Sequence, residues 1–366
     1  MENSGRRTYI DGARGVAVLL MIEAHTVDSW TRLDDRDTLA FRNATVLGGF
    51  AAPLFLWLAG VGLALGAARA AERHGRRAAV EAACRRGVEI FVLAFLFRLQ
   101  ALALTPGGPL ISLFRVDILN VMGPALVAAG LIWFAATTSA ARVALFSLAT
   151  AVVAMATPLV RASVAVGRLP LWLQWYLRPG GEMTTFTLLP WAAFVFGGAA
   201  VGVLVAACRG RGDRLHRAVA IAGAALIVLG GWAASRPAIY LVTSFWTSSP
   251  TWFAIRLGVL MVAFAALYGL EVATARDGRF RAKARTWQAR LARLGRASLF
   301  IYWIHVELVY GYASWLWRHR LPLWATALAF AAFCVLIYEA VGLRDRFVTR
   351  WRSRGQTGRR AATATA

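Results

Sequence analysis

Residues 44–67 read ATVLGGFAAPLFLWLAGVGLALGA, with no charged side chain anywhere in the stretch. A helix needs about 20 apolar residues to span the hydrocarbon core of a bilayer, so this stretch reads as a membrane crossing. Segments near 13–30, 84–104, 117–137, 142–160, 186–207, 218–235, 253–275, 297–313 and 322–342 read the same way, which makes ten spans. Composition agrees. Of 366 residues, 59% are hydrophobic and the mean hydropathy is +0.57, too apolar for a soluble domain of this size. No soluble domain or internal repeat interrupts the series, and no sustained two-residue alternation points to a barrel. The expected fold is all-α: a polytopic membrane helix bundle of about ten transmembrane helices. It forms one domain over residues 1–345, followed by a basic, disordered cytoplasmic tail over 346–366.

The net charge of +23 suggests nucleic acid until its placement is read. The basic residues crowd into RAAERHGRRAAVEAACRRG (69–87), RGRGDRLHR (209–217), RDGRFRAKARTWQARLARLGR (276–296) and RDRFVTRWRSRGQTGRR (344–360), after spans two, six, eight and ten. The intervening loops are poorer in basic residues or balanced by acid, as in RLDDRDTLAFR (32–42). This alternation follows the positive-inside rule and places both termini in the cytoplasm. The basic excess is therefore topology and contact with anionic lipid, and nucleic acid is not an expected partner. Trp287, Leu291 and Leu294 recur at helical spacing among arginines, which predicts an amphipathic helix on the inner leaflet. The N-terminal segment lacks a cleavage-site pattern and reads as an anchor. Cys84, Cys208 and Cys334 lie far apart and suggest neither a disulfide framework nor a metal site.

Titratable side chains inside membrane helices are costly, so each is a site candidate. Span one holds most of them. Arg14 and His25 are eleven residues apart, within about 20° around a helix axis and ~16 Å along it. Asp11 and Asp28 extend the same stripe. Asp28, one turn beyond His25, is placed to accept an imidazole N–H and fix the tautomer. Span four opens with FRVDILNVMGP (114–124), which sets Asp117 and Asn120 on one face behind Arg115. Span three ends in FRLQ with Arg98 in its outer half. Span nine, SLFIYWIHVELVYG (298–311), puts Tyr302 and His305 on one face and Trp303, Glu307 and Tyr310 on another. Arg178 and Glu182 sit among aromatics in QWYLRPGGEMTTF (174–186).

Plainer roles stand beside these. His25 and His305 can serve as interhelical hydrogen-bonding groups, and Arg98 with Asp117 can be a structural ion pair. GVGLALG (60–66) and GGAAVG (197–202) read as helix-packing seams, and the tryptophans as interface anchors. The phosphate-binding G-x-x-x-x-G-K-[ST] loop, the G-x-S-x-G elbow and the H-E-x-x-H zinc pair are all missing, which excludes the common ATP-driven pumps, esterases and membrane metalloproteases.

Four stretches together, YIDGARGVAVLLMIEAHT (9–26), GGFAAPLFLWLAGVGLAL (48–65), FRVDILNVMGP and SLFIYWIHVELVYG, resemble bacterial relatives of the heparan-α-glucosaminide N-acetyltransferase catalytic domain. The resemblance runs over about residues 8–345. The Arg14-to-His25 spacing is also similar to that of the wider superfamily of membrane acyltransferases that modify surface glycans. The resemblance implies a ten- or eleven-helix enzyme of the bacterial inner membrane that takes an acyl group, usually acetyl, from cytoplasmic acyl-CoA. It delivers that group to a sugar amine or hydroxyl on the far side, with His25 as catalytic base and Arg14 as a donor-binding or structural residue. One departure stands out. The animal enzymes carry asparagine where His25 falls and their catalytic histidine a little later, whereas no histidine occurs here between His25 and His74.

Acyl transfer from a thioester needs a base to deprotonate the acceptor and donors for the oxyanion that develops on the carbonyl. The catalytic candidates are His25, Asp28, Asp117, Asn120 and His305. Arg14, Arg98, Arg115 and Tyr302 are the candidates for the acetyl-CoA or other acyl-CoA donor. Arg178, Glu182, Trp303 and Glu307 are the candidates for the acceptor. No metal is expected. The partners expected are acyl-CoA, a sugar or glycan, membrane lipids and, as an arrangement to test, a second copy of the chain. The competing class is a proton-coupled transporter or flippase using the same acids and histidines, against which the missing inverted repeat argues. A non-catalytic scaffold fits poorly with so many polar groups in spans one, four and nine.

Overall fold

The computed structural model describes residues 7–104, 109–208, 212–275 and 279–364. Among them thirteen α-helices form: α1 (Thr8–Trp30), α2 (Leu39–Gly48), α3 (Ala51–Leu104), α4 (Ile118–Ala135), α5 (Ser139–Ala162), α6 (Val164–Gly167), α7 (Leu171–Leu177), α8 (Leu188–Ala207), α9 (Gly212–Ala234), α10 (Pro250–Thr274), α11 (Arg279–Arg296), α12 (Ser298–Tyr310) and α13 (Leu323–Ala364). The described residues form no strand, only two isolated bridges. The starts follow local chemistry. Thr38, Thr138 and Ser249 accept backbone N–H bonds at the heads of α2, α5 and α10, and Pro250 occupies the first turn of α10.

Seven helical stretches are long and apolar enough to cross a membrane: Leu39–Leu104, Ile118–Ala135, Ser139–Ala162, Leu188–Ala207, Gly212–Ala234, Pro250–Thr274 and Leu323–Trp351. Each of the ten spans read from the sequence falls on a helix, and the difference in number has three sources. Spans two and three run together in α3, whose 54 residues measure roughly 80 Å at 1.5 Å each, against about 30 Å of hydrocarbon. The helical path of α3 breaks at Gly75, with φ of +83°, a left-handed conformation that glycine tolerates. The basic stretch after span two is thus largely helical rather than a loop. Span one is α1, where Asp11, Arg14, Glu23, His25 and Asp28 dilute the apolar residues. Span nine is α12, which has only 13 residues before Gly311. The amphipathic helix expected near 276–296 is α11; residues 276–278, like 209–211 in another basic loop, lie outside the described residues.

The chain divides into two units: Met1–Ala13 with Ala52–Gln288, and Arg14–Ala51 with Ala289–Ala366. In the first unit the two glycine motifs form the close approach their composition suggested. A Cβ on Gly60 would run into the Val195 carbonyl, and one on Gly198 into that of Trp57, so α3 and α8 touch backbone to backbone. Lipid chains are as apolar as leucine, so such van der Waals contact, rather than hydrophobic burial, is what favours association of membrane helices. Trp57, Trp133, Phe146, Phe194 and Phe264 are fully buried in this unit, and Trp57 packs edge-on to Phe264 with centroids 4.8 Å apart.

In the second unit, α1 and α11 come equally close at Gly15, where a Cβ would overlap the Leu291 carbonyl. The far end of α1 is tied to the segment after α12. Ser29 Oγ and Trp30 Nε1 donate to the Val309 carbonyl at 2.9 and 3.2 Å. The backbone N–H groups of His319 and Leu321 donate to the carbonyls of Ser29 and Trp30 at 2.9 and 3.0 Å. These bonds fix the register of α1 against α12, and with it the positions of the histidines on both.

Candidate active site

The second unit brings His25 and His305 together, although 280 residues separate them in sequence. His25 Nδ1 lies 2.8 Å from His305 Nε2. The rings are parallel within 4°, with centroids 5.0 Å apart. His305 is fully buried, and its Nδ1 lies 2.8 Å from the Ile301 carbonyl one turn back along α12. His25 is half-buried and meets the edge of Tyr310 at 5.4 Å. Tyr302 lies 6.0 Å from His305, ring to ring.

Asp28 does not bond His25 as its spacing suggested, because His305 already takes the Nδ1 side of that ring. Asp28 instead accepts from Tyr310 Oη at 2.8 Å and faces the Arg36 guanidinium at 3.9 Å. Arg36 also contacts His319 Nδ1 at 3.0 Å and donates to the Asp28 carbonyl. The C-terminal end of α1 therefore carries a short polar chain, Tyr310–Asp28–Arg36–His319. Arg36 was not a candidate, since its acidic neighbours made the loop look balanced. Arg14, Trp303 and Glu307 are half-buried elsewhere in the same unit. Glu23, on α1, has a buried carboxylate oxygen, Oε2, without a hydrogen-bond partner, packed where a Cβ on Gly48 would stand.

The first unit holds a separate polar cluster. Asp117 caps α4: its side chain accepts from the Asn120 backbone N–H, as its Oδ1 does from Ile118 N at 2.9 Å, while Asn120 Oδ1 accepts from Asp117 N at 3.0 Å. That is the reciprocal arrangement of a capping box. Arg98 donates to the other Asp117 oxygen in a largely buried ion pair. Asn120 is buried, and its Nδ2 points to Tyr176 Oη at 3.4 Å. Burial pushes the Tyr176 phenol above its ordinary pKa, with the Asn120 bond opposing, so it stays protonated at neutral pH. Arg115 donates to Thr185 Oγ1 at 3.2 Å, and Arg178 donates to Gln174. Glu182 stands exposed in a 3₁₀ turn.

A third cluster, also in the first unit, was not among the candidates. His216 stacks on Tyr268 at 3.7 Å and meets Tyr9 Oη at 3.2 Å, and Tyr268 donates to Asp213 at 2.8 Å. Among the described residues no group of three or more His, Cys, Asp or Glu side chains converges as a metal site.

A helical multi-pass membrane protein whose two paired imidazoles come from helices at opposite ends of the chain is equipped for acid–base chemistry. Comparison with protein families supplies the reaction class. Residues 6–245 match the family described as heparan-α-glucosaminide N-acetyltransferase, catalytic, and the chain belongs to that family. It is accordingly a membrane acetyltransferase. No curated protein matches the chain significantly. Three of the four stretches that carried the resemblance fall inside the matched region; the fourth, with His305, lies beyond it.

Proposed function

We propose that the protein moves an acyl group, acetyl foremost, from cytoplasmic acyl-CoA to an amine or hydroxyl of a sugar or glycan on the opposite side of the membrane. The observation that carries this reading is the position of His25. It is half-buried on α1, with one ring nitrogen engaged by His305 and the other left to meet a substrate. The acceptor N–H or O–H gives its proton to that second nitrogen as the acceptor atom bonds the thioester carbonyl carbon. The C–S bond then breaks, and the departing thiolate recovers the proton as CoA-SH. Histidine suits both transfers because its ordinary pKa lies near neutrality.

Arg14 belongs to the donor side in this reading. It shares a stripe of α1 with His25, ~16 Å away along the axis, which is close to the length of the pantetheine arm of CoA. A guanidinium is a natural phosphate partner, and the basic segments add further charge. Within the second unit, Tyr302 is assigned to the donor or its oxyanion, and Trp303 and Glu307 to the acceptor. Asp28, Asp117 and Asn120 support the polar clusters in which they sit. We place ten crossings in a bacterial inner membrane, with both termini and the basic segments cytoplasmic, on the strength of the arginine asymmetry.

The test is the purified protein in sealed vesicles with acetyl-labelled acetyl-CoA outside and an amino sugar inside. Labelled sugar with one CoA released per acetyl supports the reading. Proton-coupled solute flux without any CoA binding overturns it in favour of a transporter.

A further inference from the structure

The hydrogen bonds of the two histidines have a direction, and it follows from one carbonyl. The Ile301 oxygen can only accept, so the Nδ1 of His305 that lies 2.8 Å from it carries a hydrogen. In a neutral imidazole one nitrogen donates and the other accepts. His305 Nε2 is then the acceptor, and the hydrogen in the 2.8 Å bond belongs to His25 Nδ1. A neutral His25 with its hydrogen on Nδ1 has its lone pair on Nε2. The direction survives a turnover, because a protonated His25 still donates from Nδ1 to the same acceptor.

From this chain we infer that His305 is a positioning residue: it holds His25 in the Nδ1–H tautomer and so presents the Nε2 lone pair to the acceptor. This rests on the proposed function for its catalytic meaning, while the tautomer stands on geometry alone. His305 is well built for the task. It is fully buried, and it is anchored one turn back on its own helix. A carbonyl has two lone pairs, so Ile301 can serve this bond as well as the helix ladder. The device matches the general logic in which a base is oriented by a third group. Here a neutral imidazole backed by a main-chain carbonyl takes the orienting place that a carboxylate often fills.

The experiment uses the full chain in lipid nanodiscs with ¹⁵N-labelled histidine, in the wild type, His305→Gln and His305→Phe. Nitrogen shifts separate protonated from lone-pair ring nitrogens. The wild type is expected to show His25 with Nδ1 protonated and Nε2 bare. Glutamine can place an amide oxygen near the former Nε2, so His305→Gln keeps that tautomer and most of the turnover. Phenylalanine offers no acceptor. His305→Phe is expected to mix the tautomers and lower kcat by about 10²–10⁴-fold, the range for losing a correctly oriented base, with KM for acetyl-CoA little changed. A wild-type His25 protonated at Nε2, as a cationic His305 would impose, overturns the inference. So does a His305→Phe protein with an unchanged tautomer or unchanged kcat. If the wild type transfers no acetyl group at all, the proposed function fails, and the nitrogen shifts still decide the tautomer.

Discussion

Tyr310 Oη and Asp28 Oδ2 meet at 2.8 Å, joining the last residue of α12 to the final turn of α1 just beyond the paired histidines. The bond lies at the outer edge of the cluster, and the Asp28 side chain is 59% exposed. A hydrogen bond in such a place is worth less than about 1 kcal/mol. Tyr310→Phe keeps the ring that borders His25 and should lower thermal stability only slightly. If the Tyr310–Asp28–Arg36 chain meets the acceptor, the same variant raises KM for the sugar while kcat stays near normal. A large drop in kcat with unchanged KM would instead make Tyr310 part of the transfer chemistry.

The glycine seam allows a sharper contrast. Gly60 and Gly66 belong to one motif, yet a Cβ on Gly60 would strike the backbone of α8 while a Cβ on Gly66 meets nothing within 4 Å. Gly60→Ala should force α3 and α8 apart and sharply reduce folded protein in detergent. Gly66→Ala should be neutral, or stabilising by up to about 1 kcal/mol through helix propensity. Size-exclusion profiles and melting curves of the two variants check this, and equal behaviour would remove the seam as a determinant of the fold.

These glycines illustrate what was legible beforehand. Apolar runs and small-residue motifs specified the helices and one of their contacts, because both are local patterns. The Arg98–Asp117 pair was readable for a similar reason: nineteen residues separate two charges that are costly in a membrane unless paired. The His25–His305 bond was not readable. Each histidine stood out as an intramembrane titratable group, but nothing local says that α1 and α12 are neighbours. Asp28 was misdirected by the same blindness, since helical spacing points it at His25 and only the tertiary contact supplies Tyr310. The Gly75 break shows the opposite error, where a charged stretch that looks like a loop continues largely as helix.

Asp117 separates structure from chemistry in the first unit. Asparagine caps helices about as well as aspartate, so Asp117→Asn keeps the start of α4 and removes only the charge that faces Arg98. The remaining guanidinium would be largely buried and unpaired. For a pair with 14% and 18% side-chain exposure the loss should reach about 1–3 kcal/mol, below the full penalty of a dry site. A melting shift with kcat retained fixes the pair as structural. A loss of kcat without a melting shift would return Asp117 to the catalytic group.

Acid should loosen the second unit through Asp35. The Leu323 N–H, which bonds its Oδ2 at 2.7 Å, and then the Arg32 guanidinium hold its carboxyl below the ordinary carboxylate pKa. A lowered folded-state pKa stabilises the folded form above the unfolded value near 4, and that contribution is lost as pH falls through the folded pKa. The wild type should therefore lose more stability than Asp35→Asn on acidification below about pH 4. Parallel melting curves of the two proteins between pH 6 and pH 3 would show no such contribution if they keep a constant offset.

The stripe on α1 makes the last prediction, because it assigns different jobs to two residues of one helix. Arg14 and His25 stand within about 20° around the axis and ~16 Å apart along it. If one end holds the donor and the other does the chemistry, their removal must fail in different ways. Arg14→Ala should weaken acetyl-CoA binding, raising its Kd and KM while the bound complex still turns over. His25→Ala should leave acetyl-CoA binding mostly intact and lower turnover by about 10²–10⁴-fold. It also removes the 2.8 Å bond between the two rings, so melting curves must accompany the kinetics. Titration with acetyl-CoA by calorimetry and single-turnover transfer, run on the same preparations, separate the two defects. Near-normal turnover in a folded His25→Ala protein would move the base to His305 or to a carboxylate. Matching losses of binding in both variants would mean that the stripe is one donor site rather than a path from donor to acceptor.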